Sequence, residues 1–118
     1  MSKAELPPEL QLILEQAETA KKDADLLFAR SDFPSSVLAY NKCINFLSPL
    51  RGSPIGEFLA IRCLANQSNA LIKLEMNDKS LEVASIALTI PSVLLDFHLM
   101  SKLLMRKARI TLYLALHY

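Results

Sequence analysis

Two stretches of this chain carry the same spacing of small residues. Ala24, Ser36 and Cys43 are separated by twelve and then seven positions, and Ser68, Ser80 and Ala87 repeat that spacing. An internal repeat constrains architecture before any single residue does, because a repeated unit that cannot bury its apolar face alone has to stack on its copies. In each copy the first small residue falls in an amphipathic helical run, a polar turn follows, and the other two fall in a second run. The unit is a helix-turn-helix, used at least twice.

The apolar periodicity extends this to about five helices. After Pro7 and Pro8, which suit a first helical turn, Ile13, Ala17, Ala20, Ala24 and Leu27 mark one face of a helix that runs to about Arg30. Ser31 to Pro34 breaks it, and Val37, Tyr40, Ile44 and Leu47 give the face of the second. The segment from Ser48 to Gly56 holds both glycines of the chain and reads as a loop. A third helix is expected from about Glu57 to Glu75, with Asn77 and Asp78 as caps for a fourth that runs to about Ile90. A fifth begins near Leu94 or Phe97. Its end reads two ways, since Ile110, Leu112, Leu114, Leu116 and Tyr118 also alternate with period two. Helix is the better reading, because no second strand exists for such a segment to pair with.

Composition supports an all-α domain and narrows its function. The 118 residues suffice for one core, and a hydrophobic fraction of 52% sets the chain apart from disordered ones. Thirteen basic and twelve acidic residues leave a net charge of +1, so no global field draws the protein to nucleic acid or to an anionic membrane. The apolar run from Val83 to Leu95 is interrupted by Pro91 and is shorter than the roughly 20 residues of a membrane span. The N-terminus lacks a secretory pattern, so a soluble, cytoplasmic protein is expected. Cys43 and Cys63 have no short metal spacing and read as buried free thiols. His98 and His117 lack metal partners in sequence, and no phosphate-cradling loop or nucleophile motif is present. The expectation is a protein that is not an enzyme and needs no cofactor.

The run from Ala24 through Asp32 and Phe33, followed by Ser36, Tyr40 and Cys43, resembles a tetratricopeptide repeat. The second copy, Ser68 to Ala87, keeps the three small positions but has Glu75, Met76 and Asn77 where the family has glycine, Asp and an aromatic. The third begins with Leu104 and Ala108. The resemblance implies antiparallel helix pairs stacked as a short right-handed superhelix in a single domain. Repeat one covers about 17–49, repeat two about 57–90 and a partial third about 97–118. The family repeat is 34 residues, and the excess length here fits longer connections between repeats.

A subclass of this family, the carboxylate-clamp co-chaperones, holds the acidic C-terminal peptide of a heat-shock chaperone, ending in Glu-Glu-Val-Asp, on the first helix of each repeat. Its clamp has Lys and Asn in the first repeat, Asn in the second, and Lys and Arg in the third. Lys21, Asn66, Lys102 and Arg106 match those positions, and Asp25 stands where the first Asn is expected. Residues four apart lie on one helix face, so Lys102 and Arg106 can present two cations to one anion. Asp25 can only accept hydrogen bonds, and it can pair with Lys21 one turn earlier. Arg62, one turn before Asn66, offers a compensating cation.

The resemblance therefore implies an adaptor for the tail of a cytosolic heat-shock (Hsp-type) chaperone. Two other readings stay open: recognition of a different segment through apolar contacts, and a regulatory piece of a larger enzyme. The uncovered apolar residues Leu112, Leu114, Leu116 and Tyr118 predict self-association, a partner, or a truncated form.

Overall fold

The computed structural model describes residues 3–117. Five α-helices account for most of them: α1 (Pro8–Ala29), α2 (Phe33–Phe46), α3 (Pro54–Lys73), α4 (Asn77–Thr89) and α5 (Phe97–His117). Short 3-10 turns occupy Lys3–Glu5, Ser48–Leu50 and Pro91–Leu95, and no strand occurs among the described residues. The all-α expectation holds, and the period-two pattern after Ile110 lies on α5. Tyr118 lies outside the described residues.

Each helix packs chiefly on its neighbours in the chain, α1 on α2, α2 on α3, α3 on α4 and α4 on α5. The body measures 50 × 30 × 19 Å. The small-residue spacing explains how these pairs approach. Ala24, Ser36, Cys43, Ser68, Ser80 and Ala87 are all 0% exposed, so each short side chain sits where two helices come closest. Ser80 Oγ donates to the Ser68 carbonyl at 2.8 Å, which joins two of these positions directly.

The two helix pairs also end their first helices in the same way. Ser31 and Glu75 adopt left-handed conformations, with φ of 63° and 58°. The Asp32 and Ser31 amides donate to the Leu27 and Phe28 carbonyls, and the Met76 and Glu75 amides donate to Leu71 and Ile72. This double bond pattern is the Schellman motif, which satisfies carbonyls at a helix end. It recurs at the equivalent place in both units.

Two boundaries differ from expectation. α3 starts at Pro54, inside the stretch read as loop, because Pro54 fits the first turn and the 3-10 turn at Ser48–Leu50 absorbs the chain reversal. Gly56 is thus helical. A Cβ there would lie 2.5 Å from Leu50 Cβ, so glycine lets Leu50 close over the start of α3. α4 begins at Asn77, and neither Asn77 nor Asp78 caps it; Met76 holds the cap position with no side-chain bond. The Schellman turn already fixes the chain direction there. Asp32 and Asp96 do cap, accepting from the amides of Ser35 and Leu99.

α3 is the common wall of two apolar clusters. Leu59 and Cys63 join α1, α2 and Leu50 in the first, while Ile61, Leu64 and Ala65 join α4, Val93 and Leu103 in the second. Burial on two faces explains why α3 reads as apolar nearly all round.

Candidate functional site

The first helix of each pair carries the polar residues singled out from the sequence. Asp25, on α1, is the centre of a cluster that spans three helices. Its Oδ2 accepts from Lys21 Nζ at 2.8 Å, and its Oδ1 accepts from the Tyr40 hydroxyl of α2 and from Asn66 Nδ2 of α3 at 3.1 Å. Burial by itself would raise the Asp25 pKa, but the hydrogen bonds from Lys21 and Tyr40, the Lys21 charge and the Asn66 bond outweigh it and hold the carboxyl below its usual value. The Tyr40 hydroxyl is pushed in the opposite direction by burial and by the adjacent Asp25 carboxylate, so it remains a donor. Lys21, Asp25 and Asn66 are therefore brought together. Their charges and donors are directed at one another.

Arg106 is also engaged within the fold. From α5 its Nη1 donates to the Ala65 carbonyl at 2.8 Å and to Ser68 Oγ at 2.7 Å. Burial lowers its pKa, yet a guanidinium stays protonated in proteins, so one edge of a cation is fixed against α3. This anchor ties α5 to α3.

Lys102 and Arg109 are exposed on the same side of α5 as Arg106. All three line a cleft of about 950 Å³ with Asn69 of α3, Asn77 of α4 and Tyr113 of α5. Glu75 contributes the one acidic group of that lining. Asn69 is shared with a smaller recess formed by Asp25, Phe28, Tyr40 and Asn66, so it stands between the cationic cleft and the Asp25 cluster. Arg62 belongs elsewhere. It is exposed and borders a cleft of about 540 Å³ at the other end of α3, between Glu18, Phe58, Leu95 and Phe97. Lys102, Arg109 and Arg62 make no ion pair among the described residues.

The arrangement separates the six candidates into three groups. Lys21, Asp25 and Asn66 form an internally satisfied hub; Arg106 is a half-engaged cation beside the open Lys102; Arg62 stands apart. Arg109 and Asn69 were missed in the sequence. Each lies three residues beyond a candidate, Arg109 after Arg106 and Asn69 after Asn66, and helical spacing puts such residues on one face. Tyr40 was read as part of an apolar face and as the aromatic of the repeat, although its hydroxyl completes the hub.

Cys43 and Cys63 are free, fully buried and in contact, with sulfurs 2.8 Å apart, and Cys43 also donates to the Ala17 carbonyl at 3.2 Å. The proton shared with Cys43, together with burial, pushes the Cys63 thiol up. No group of side chains suited to a metal ion occurs among the described residues. No helix among them is long and apolar enough to cross a membrane. No family model matches the chain, and no curated protein or solved structure matches it.

Proposed function

We propose that the protein is a tetratricopeptide-type adaptor whose cleft between α3 and α5 binds an acidic peptide, the C-terminal tail of a cytosolic heat-shock chaperone being the partner of choice. The observation that carries this reading is the convergence of Lys102, Arg106 and Arg109 on one open cleft with the amides of Asn69 and Asn77 beside them. Two cations with free donors can hold a terminal carboxylate and an acidic side chain, and neutral amides add donors without adding desolvated charge. Chaperone capture in the standard clamp manner would also use Lys21 and Asn66. Here Asp25 holds both, so the carboxylate is taken nearer the α5 end.

Calorimetric titration with a peptide ending in Glu-Glu-Val-Asp, beside the same peptide amidated at its C-terminus, tests the reading. Binding lost on amidation, weakened by salt, and reduced about tenfold in Lys102→Ala and in Arg109→Ala is expected. Equal affinity for both peptides in all three proteins overturns it.

A further inference from the structure

α5 is fixed to the domain by one side only. Of its 21 residues Leu103 and Ile110 are the buried ones, both on the side toward α4. Half a helical turn away lies a second apolar stripe that is largely exposed. Leu104, Met105, Leu112 and Leu116 are 49%, 57%, 62% and 73% exposed. Ser101, Met105, Ala108, Leu112 and Ala115 advance by four, three, four and three, the spacing of a seam between two helices. Along that seam the small residues Ser101, Ala108 and Ala115 alternate with the long Met105 and Leu112. Such alternation leaves hollows for the side chains of a facing helix.

Charge decides which helix fits. α5 carries Lys102, Arg106, Lys107 and Arg109 and no acidic residue at all. Lys107 flanks the stripe on one side and Arg109 on the other. A second copy of α5 would bring the same cations against these, and like charges across a seam are destabilising. A lipid surface would also meet the cations, and Phe97, 76% exposed and seven residues before Leu104, suits one; a bilayer, unlike a facing helix, leaves the hollows at Ser101, Ala108 and Ala115 unfilled. We infer that the outward face of α5 docks an amphipathic helix of a partner protein whose apolar seam is flanked by Asp and Glu. This surface adjoins the α3–α5 cleft along Met105 and Arg109, which line both, while Leu112 lies outside the lining of that cleft.

The test uses the whole chain and two synthetic three-heptad peptides with Leu at both seam positions, one flanked by Glu and its twin flanked by Lys. Fluorescence anisotropy is expected to detect binding of the Glu peptide and at least about tenfold weaker binding of the Lys twin. Leu112→Glu should abolish the first interaction, and Lys107→Glu should weaken it while strengthening the Lys twin. Retained binding of the Glu-Glu-Val-Asp peptide by Leu112→Glu would confirm that the variant is folded and the two surfaces are distinct. Equal binding of the twins overturns the proposal. So does sedimentation of the protein alone as a dimer that Leu112→Glu dissociates, which assigns the stripe to a second copy. Binding to phosphatidylserine vesicles that Leu112→Glu removes, with the Glu peptide ignored, assigns it to a membrane and overturns the proposal as well.

Discussion

Asp25 reaches α1, α2 and α3 at once, and its charge sets what the neighbouring cleft can accept. While ionised it occupies Lys21 and Asn66 and adds a negative field at one end of the cationic cleft. Asp25→Asn removes that field and releases the Lys21 ammonium, so binding of the Glu-Glu-Val-Asp peptide should tighten by about tenfold in calorimetry. Unchanged affinity would separate the hub from the ligand. The same residue carries a pH signature. Because its native pKa is lowered from 3.8, its contribution to stability is present above that value and is lost as the pH falls through the native pKa. The Lys21–Asp25 contact was legible in the sequence from its four-residue spacing. The Asn66 and Tyr40 bonds were not, because they depend on how far apart three helices settle. The Arg106 bonds to α3 were hidden for a related reason: the direction of its side chain follows the rotation of α5 about its axis. Leu103 and Ile110 set that rotation, and a helix with leucines on every side does not declare it.

The repeated turn is the best-specified feature at the level of elements. In both units the left-handed residue that closes the helix comes seven positions after its first small residue, at Ser31 and Glu75, with the same pair of backbone bonds. Side chains with a Cβ disfavour the left-handed conformation required there by about 1–2 kcal/mol. Glu75→Gly should therefore raise stability by about 1 kcal/mol in urea unfolding with an unchanged slope. A lower midpoint would mean that the Glu75 side chain contributes more than its backbone costs. The small-residue spacing and the helix faces were readable because burial acts on them directly. The start of α3 was not. Pro54 and Gly56 usually mark loops, and their helical role depends on Leu50 closing over Gly56, a contact that no local pattern encodes.

Over the whole molecule, α3 is buried on both faces and touches both apolar clusters, whereas α1 and α5 each lie against one end of the stack. In such an arrangement opening starts at the ends and reaches the shared wall last. Native-state hydrogen exchange should find the slowest amides at Ile61 to Leu71 of α3 and the fastest helical ones in the last turns of α5. Uniform protection across all five helices would point instead to a single all-or-none unit.

Packing between chain neighbours also governs the speed with which the protein forms. A contact between adjacent helices closes a short loop, so its entropy cost is small and is met early. Helical proteins built from such contacts fold in microseconds to milliseconds, well ahead of folds that must first join distant strands. The hairpin of α3 and α4, with its Schellman turn and the Ser80 to Ser68 bond, is one such short-range contact. A chain emerging from synthesis would then have its first helix pair waiting only briefly for the wall that covers it.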